Sequence, residues 1–542
     1  MLTYTVFAPI HDNAVSNPAV DSDFKMGYYS GAFLPKSFSI DSTIVLDKNP
    51  NYHFASETKI NRIREIHTSG TVSQTRDLFE ANTINNYLIN TNDQSGWDKY
   101  VGNASEPIKT DGLVRYDEDA EDAYTQMLFF NFLNSSYFGD TNAKKEAIIK
   151  SKLFQFSGTR EFFFANLDRS IWGKYYSKIF DGDRSVSSNV RNTFVPDFIK
   201  SESKDFQTIE AEQINSEKLY GNAGTNVKKE DIKDGENFYS ARAYGLEITN
   251  NSSKLKTAQS ESAKKLREDL SSADNDLKEA LKDGKKITLK TYLDPSKTTD
   301  ERAALIEMFK TFSAIENNPI TIDVITSRTS NEYQQMLDDG VEDLAISGWS
   351  PDYADAMSYS NTLKINGDHG MHFRFGQLYQ FDDSKTPLNQ FDSESADDTF
   401  TRLKNAHKDM YNELLIQNGE GENLFKSRYN YSKELVNVDE TESGLKRNED
   451  FAKLEAQTLY KDYFAMPLIR RSPSMTFTIT NLVPFTSSRV PYGLSALQFG
   501  NYDFSSKLLS YDKIEDLRIA YLSKKDEVDK DKTKYRDSLA WQ

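Results

Sequence analysis

Three strand-like segments separated by two helix-like segments occupy residues 285–349, and this order limits the folds open to the chain more than any other feature. Apolar residues alternate over 285–293 and 320–325, and a short apolar run follows at 344–346. Between these segments, apolar residues recur at helical spacing after possible caps at Thr298 and Ser330. This order predicts a parallel sheet with right-handed crossovers. The predicted fold class is therefore α/β.

A turn-rich loop follows the third strand with the sequence GWSPDYADAMSY. Pro351 lacks the N–H that a strand ladder requires, so the strand ends before it and presents Trp349 and Asp352 beyond its carboxyl end. In open α/β sheets, ligands bind at that end of the strands. An alternative fits the same residues, because Trp349 could fill the core and Asp352 could form a turn.

The stretch Gly348-Trp349-Ser350-Pro351-Asp352-Tyr353-Ala354-Asp355, with Ser358, resembles the G-W-x-x-D-Y-x-D-P-x-S signature of oligopeptide-binding proteins. These are the family 5 extracellular solute receptors of ABC importers. Ala356 stands where that family usually has Pro. Residues 31–33 and 44–52 are similar to the family's hairpin, whereas 191–196 and the segment from Asn481 onward are similar to its streptococcal-type lipoprotein branch.

The resemblance implies a two-lobed periplasmic-binding-protein type II fold, or Venus flytrap, whose lobes close on an extended peptide. It implies that Asp352 accepts the terminal ammonium of the peptide and that Trp349 walls the cleft. The other residues that it implies in ligand binding are Gly348, Ser350, Tyr353, Asn131 and Arg191. For Asn131, in the apolar segment MLFFNF, a turn with Asn134 is an equally open interpretation.

The composition is that of a globular chain with an acidic surface. The 542 residues include 37% hydrophobic and 27% charged residues, and the formal net charge is −17. That charge disfavours sequence-independent binding to nucleic acid or to anionic lipid, since both need basic patches. The chain has no cysteine, so it has neither disulfides nor thiolate metal ligands.

The N-terminal sequence, MLTYTVFAPIHDNAVSNP, has no basic region and no long apolar region of the kind found in signal peptides. No apolar run reaches the roughly 18 residues of a membrane-spanning helix. The receptors that the chain resembles are exported and often lipid-anchored, which implies a cell-surface location. Because only 30 residues precede the Gly31 hairpin, we expect an N-terminal portion of the first lobe to be absent from this chain.

The resemblance and the segment pattern divide the chain into three parts. Residues 1–200 are predicted as an incomplete, β-rich first lobe, and 201–480 as a second α/β lobe that carries the GWSPDY loop. Residues 481–542 are predicted to return to the first lobe and to end in a charged helix.

Several other segments carry structural predictions. Residues 200–250 are predicted to be a loop-rich surface excursion or lobe boundary, and 418–447 a charged connection without a clear period. His369 and His372 form an H-x-x-H pair, but the flanking glycines favour a loop over a zinc-binding helix. The further predicted elements are a hairpin within 33–48, a strand at 127–132, helices over 143–164 with a break near 157–158, and single helices over 254–282, 397–416 and 450–464.

No G-x-S-x-G elbow, P-loop or H-E-x-x-H motif supports an enzyme. The function predicted from the resemblance is therefore the substrate-binding component of an ABC peptide importer, without cofactor or catalysis. Its implied partners are an oligopeptide and the permease subunits, and it is expected to be a monomer. The alternatives are an inactive remnant or surface interaction protein, and a hydrolase with a convergent acid/base pair.

Overall fold

The structure is a computed structural model in which two compact units separate along the chain. It describes residues 11–15, 23–39, 42–56, 58–103, 106–107, 114–118, 123–249, 251–351, 354–380, 394–471, 475–480, 516, 519, 520 and 523. The smaller unit contains residues 1–121, 296–300 and 472–542, and the larger contains 122–295 and 301–471. The larger unit thus begins near residue 122, whereas the sequence predicts a boundary near 200. The assignment of lobes stays a prediction.

The described strands of the smaller unit form three sheets. Its strands are β1 (Phe33–Phe38), β2 (Thr43–Lys48), β3 (Arg62–Ile66), β4 (Asn86–Leu88), β5 (Gly102–Asn103), β6 (Glu106–Pro107), β7 (Val114–Glu118) and, late in the chain, β15 (Met475–Thr480). Strands β1, β2 and β3 pair in order, β15 lies between β4 and β7, and β5 pairs with β6. The predicted hairpin is confirmed as the antiparallel β1–β2 pair. Asn49 ends it, because its side-chain amide donates to the carbonyl of Gly31 (2.8 Å) and its oxygen accepts from Asn51 N (2.9 Å).

The larger unit has two main sheets. Its strands are β8 (Thr125–Phe130), β9 (Lys200–Ser201), β10 (Lys204–Asp205), β11 (Ile287–Leu293), β12 (Ile320–Thr326), β13 (Leu344–Trp349) and β14 (Ala465–Pro467). Strands β11 and β12 are parallel, which confirms the first predicted crossover. The second prediction is wrong in its pairing, because β13 runs antiparallel to β8 in a sheet ordered β13–β8–β14. A backbone hydrogen bond from Asp343 N to the carbonyl of Lys290 (2.9 Å) joins the start of β13 to β11.

Helices surround these strands. In the smaller unit they are Asp12–Val15, Gln74–Glu80 and Gln94–Tyr100. The helices of the first half of the larger unit are Thr141–Gln155, Ser157–Asn166, Ser170–Asp181, Phe206–Ser216, Lys229–Ile232, Phe238–Tyr244, Leu246–Thr249, Ser252–Ala273 and Asn275–Ala280. Thr299–Ser313 crosses the boundary between the units, and the later helices are Ser330–Asp339, Ala356–Ser360, Gly370–Phe373, Phe375–Gln380, Ala396–Ala406, Lys408–Leu414, Glu420–Thr441 and Gly444–Tyr460. Short 3₁₀ turns lie at Phe24–Met26, Ser135–Phe138, Gly221–Ala223, Lys282–Gly284 and Asn361–Leu363.

The core of the larger unit is built on β8, all six residues of which are buried. The ring of Phe130 packs against Phe154 (5.4 Å between centroids) and Phe163 (5.3 Å), and Phe163 stacks on Phe312 (4.5 Å). Phe162, Phe163 and Phe164 are all buried and belong to this core, as aromatic residues usually do. None of the helices among the described residues has the length and apolar character needed to cross a bilayer.

Four other segments differ from their predictions. Residues 206–244 include three helices and the buried side chains of Phe206, Ile209 and Phe238, so this segment is core rather than a loop-rich excursion. Residues 420–441 form a helix instead of a connection. The helices predicted over 254–282 and 397–416 are each divided in two, at Asp274 and at His407. Asp274 divides its segment because its carboxylate caps the following helix, accepting from Asp276 N.

A buried ion pair fixes the start of β13. Lys150, on the Thr141–Gln155 helix, lies 2.8 Å from the carboxylate of Asp343, and their side chains are 8% and 0% exposed. The same carboxylate accepts from Lys290 N (2.8 Å) and from the amide of Asn134 (2.8 Å). These donors compensate the cost of burying the charge.

We expect Lys150→Met to destabilise the larger unit by about 3–5 kcal/mol, because the Asp343 charge would stay buried without its partner. Chemical denaturation of the whole chain measures this change. Lys144→Met is the matched control, because Lys144 lies on the same helix and pairs at 2.9 Å with Glu413 at an exposed position. Its loss should cost less than about 1 kcal/mol. Equal effects of the two substitutions would contradict this account of β13.

Candidate functional site

Strand β13 lies at the edge of its sheet and becomes exposed toward its carboxyl end. Leu344, Ala345 and Ile346 are buried, whereas Ser347, Gly348 and Trp349 are partly exposed. One edge of the strand pairs with β8, and among the described strands none forms a ladder with the other edge. The backbone N–H and C=O groups of an edge strand can pair with an added strand. The end of β13 is therefore a surface on which an extended chain could bind.

Gly348 is required by the close approach of an aromatic ring. A Cβ atom at this position would lie 2.2 Å from both Cζ and the hydroxyl oxygen of Tyr124, far inside van der Waals contact. The Tyr124 hydroxyl also accepts a hydrogen bond from the amide of Gln126 (3.1 Å), the residue that pairs with Gly348 across the sheet. The glycine of the loop motif thus leaves room for Tyr124 beside the strand.

Trp349 is neither a fully buried core residue nor a free surface residue. Its indole N–H donates to the carbonyl of Ser358 (2.8 Å), and its ring meets the ring of His369 edge-on at 5.5 Å. These contacts fix the plane of the indole while the side chain stays partly exposed. Its predicted role as a ligand-facing wall stays a prediction that this geometry permits.

Asp355, the second aspartate of the motif, joins the loop to two helices through its hydrogen bonds. Its Oδ1 accepts from Met357 N (2.8 Å), which caps the Ala356–Ser360 helix. Arg447 donates to both of its oxygens, at 3.0 and 3.1 Å, and also to Asp439 (2.6 Å). Such bidentate pairs have both strength and directional specificity.

The remaining predicted loop residues differ in what the structure describes. Ser350 is exposed and Pro351 is buried. Asp352 and Tyr353 lie outside the described residues, so their predicted roles in ligand binding stay predictions.

Asn131 and Arg191 are buried, at 1% and 2% exposure, and they contact the protein's own groups. The Asn131 amide donates to the carbonyls of Gly340 (3.1 Å) and Glu342 (2.7 Å), which fixes the turn before β13. Arg191 donates to Asp234 (2.9 Å). The structure thus favours positioning roles for both residues, and their predicted contact with a ligand stays a prediction.

An aromatic and histidine cluster behind Trp349 is the part of the site that sequence reasoning missed. The ring of His369 lies 4.5 Å from Phe129 and 5.6 Å from His372, and all three residues are buried. Burial lowers the pKa of His369 to about 3 and that of His372 to about 4, so both imidazoles are neutral near pH 7. The predicted loop is wrong at 370–373, which form a single helical turn. The described residues contain no cluster of three or more metal-ligating side chains.

Glu342 is a buried carboxyl group at the entry to β13. It is 1% exposed, and neither of its oxygens accepts a hydrogen bond from the described residues. Burial raises its pKa to about 8, with Arg374 acting to lower it and Asp343 to raise it. Glu342 is therefore largely protonated at neutral pH.

Comparison with solved structures shows which proteins share this fold. The chain is similar to the substrate-binding domain of an oligopeptide ABC transporter from Bacillus anthracis str. Ames, with 13% identity, a TM-score of 0.54, and coverage of 91% of this chain and 69% of that one. It is similar to the pheromone receptor PrgZ, solved for its mode of peptide binding (14%, 0.54, 93% and 71%). It is also similar to Listeria monocytogenes OppA bound to peptide (12%, 0.53, 93% and 70%).

The chain has the α/β fold of these peptide-binding proteins. No protein-family model matches the sequence, and no curated protein matches it. At such low identity the likeness establishes the fold, and the function has to be argued from the residues of the site.

Glu342→Gln is expected to stabilise the protein at high pH. The raised pKa means that the wild type loses stability as the pH rises from about 4.5 to about 8, by the order of a few kcal/mol. Glutamine cannot ionise, so the variant should have the higher melting temperature at pH 9 and a similar one at pH 5. Asp323→Asn, at an exposed position on β12, is the control and should change neither value. A variant that melts below the wild type at pH 9 would contradict the buried-acid interpretation.

Arg447→Lys is expected to loosen the clamp on Asp355, because an ammonium cannot reproduce the two parallel guanidinium bonds. We expect a stability loss of about 1–3 kcal/mol and faster hydrogen exchange at the amide of Met357. Lys446→Met is the control, because Lys446 is the exposed neighbour of Arg447 and pairs with Asp450 on the same helix. If both variants protect Met357 equally well, Arg447 does not hold the loop.

Proposed function

We propose that this chain is the substrate-binding component of an ABC peptide importer and that it captures extended oligopeptides. The observation that supports this most directly is the edge of β13, which is free of other described strands and ends in partly exposed Gly348 and Trp349. Its fold, shared with proteins that bind peptides, supports the same function.

A strand edge recognises a peptide through its backbone. Alternate residues of β13 direct their backbone groups away from β8, so the N–H and C=O groups of Gly348 would pair with those of an added strand, whatever the side chains of the ligand. Gly348 leaves room for the Tyr124 ring beside the strand, and the indole of Trp349 offers a rigid aromatic surface whose plane is fixed by Ser358. This arrangement suits a receptor that accepts many sequences.

The register of the peptide requires a polar anchor, and we assign that role to Asp352. A carboxylate at the end of β13 would accept the terminal ammonium of the peptide in a charge-assisted bond. Ser350 and Tyr353, on either side of Pro351 and Asp352, would complete the polar lining. The proposal includes no catalytic step and no cofactor.

The proposed partners are the peptide and the permease subunits of the importer, to which a monomeric receptor would deliver its ligand at the outer face of the membrane. The formal net charge of −17 is consistent with a protein that avoids nucleic acid and anionic lipid. The resemblance in the loop motif supports membership of a cell-surface importer.

The affinities for a peptide with a free amino terminus and for the N-acetylated form of the same peptide test the proposal. Titration calorimetry should show that the wild type binds the free-amino peptide more tightly, because acetylation removes the charge that Asp352 would accept. Asp352→Asn should weaken binding of the free-amino peptide by about 3–5 kcal/mol, since the ammonium would be buried without its partner.

Asp368→Asn is the matched control, because Asp368 is exposed and lies in the same part of the chain. It should bind the free-amino peptide like the wild type. Equal affinity of the wild type for both peptides would refute the role of Asp352 but not the proposed function. Failure to bind any peptide from a library of mixed length would refute the proposed function itself.

A further inference from the structure

Two glutamates face each other in the contact between the helices Phe206–Ser216 and Gly444–Tyr460. Glu210, on the first helix, is 0% exposed, and Glu455, on the second, is 3% exposed. Charged side chains are rarely buried so completely without a cationic partner. Neither residue belongs to the site on β13.

The hydrogen bonds of the two carboxyl groups are unequal. Glu455 accepts from Phe194 N (2.6 Å) and Val195 N (3.2 Å). Neither oxygen of Glu210 accepts a hydrogen bond from the described residues, and the polar group that Glu210 meets is the Glu455 carboxyl. Two ionised carboxylates offer only acceptors to each other, so a proton is needed to join them.

We propose that Glu210 and Glu455 share one proton, and that this proton holds the 194–195 backbone against the two helices as a pH-dependent brace behind the ligand-binding loop. Glu210 is the protonated partner and donates to Glu455, which keeps its charge for the two backbone N–H groups. Loss of the proton places two like charges side by side without solvent, which strongly disfavours the contact.

The groups around the pair are engaged elsewhere. The hydroxyls of Tyr239 and Tyr460 both donate to the carbonyl of Asn192, at 3.2 and 2.6 Å, and the hydroxyl of Tyr431 donates to that of Ser360 (2.7 Å). Two buried guanidinium groups of this region are also occupied: Arg169 donates to the carbonyl of Pro467 (3.0 Å), and Arg428 donates to that of Leu363 (2.9 Å). Burial raises the pKa of both glutamates, that of Glu210 well above its ordinary value.

The brace reaches the loop through Phe194. The Phe194 ring meets Tyr359 edge-on at 5.4 Å and lies 6.4 Å from His369, the residue that contacts Trp349. The hydroxyl of Thr125, which pairs with Trp349 across the sheet, donates to the carbonyl of Phe194 (3.0 Å). The consequence for ligand binding rests on the proposed function, whereas the shared proton does not.

The direction of the pH dependence follows from the raised pKa values. The folded protein holds a proton that the unfolded chain releases, so the stabilisation is complete in acid and is lost as the pH rises. Between the ordinary glutamate pKa and the raised pKa of the folded pair, the folded state holds one proton more than the unfolded chain. In that range the equilibrium constant for unfolding rises about tenfold per pH unit.

Denaturation of the whole chain between pH 5 and pH 9 tests the brace in the wild type, Glu210→Gln and Glu210→Met. Neither replacement can ionise, and glutamine can still donate to Glu455. We expect the wild type to lose stability relative to Glu210→Gln as the pH rises. The slopes of the free energy of unfolding against pH should differ by the value expected for one bound proton. The contribution of Glu342 is present in both proteins and cancels. Glu212→Gln, on the exposed face of the same helix, should behave as the wild type.

Hydrogen exchange locates the effect, and peptide binding separates the two proposals. The protection factors of the Phe194 and Val195 amides should fall at least tenfold from pH 6 to pH 9 in the wild type and stay constant in Glu210→Gln. Identical slopes and identical protection in both proteins would overturn the shared proton.

If the protein binds no peptide, these two measurements still decide whether the brace exists. If it does bind peptide, affinity should weaken at pH 9 in the wild type only, and an equal change in both proteins would remove the link to the loop.

Discussion

The pairing of β8 with strands from two distant parts of the chain is the interaction on which the larger unit depends. Residues 125–130 form a fully buried strand that pairs with 344–349 on one side and with 465–467 on the other. Each ladder is closed over more than 200 residues, so its loop-closure entropy must be offset by the burial of Phe129, Phe130 and their neighbours. Gly348 and Trp349 are presented at one edge because β8 occupies the other.

Local patterns predicted the elements better than their partners. The alternation in 287–293 and 320–326 indicated two strands, and their parallel pairing followed because a helix of suitable length lies between them. The same reasoning placed β13 in that sheet, but its ladder is with β8, a segment that no short-range rule connects to it. Pairing over such distances is decided by burial of whole faces, which spacing in one segment does not reveal.

The prediction made from composition is wrong where an amphipathic helix carries many charged residues. Residues 420–441 look like a charged connection, yet Leu424, Phe425, Leu435 and Val438 lie on the buried face of one helix. The structural role of a buried polar residue is also hidden in the sequence. The resemblance implies Asn131 in ligand binding, which stays a prediction, and its amide also fixes the turn before β13. Buried polar groups of this kind are found only once their partners are known, as with Lys150 and Asp343 or with Glu210 and Glu455.

The hydrogen bond that holds the indole of Trp349 has a spectroscopic consequence. Trp97 and Trp172 are almost completely buried, at 1% and 0% exposure, whereas Trp349 is partly exposed. Among the described tryptophans, Trp349 is thus the emitter that a dissolved quencher can reach. Because its contacts with Ser358 and His369 hold the ring, its fluorescence anisotropy should be higher than that of a mobile surface side chain. The protein consequently contains an intrinsic optical probe at the end of β13, and its emission reports on whatever covers that edge.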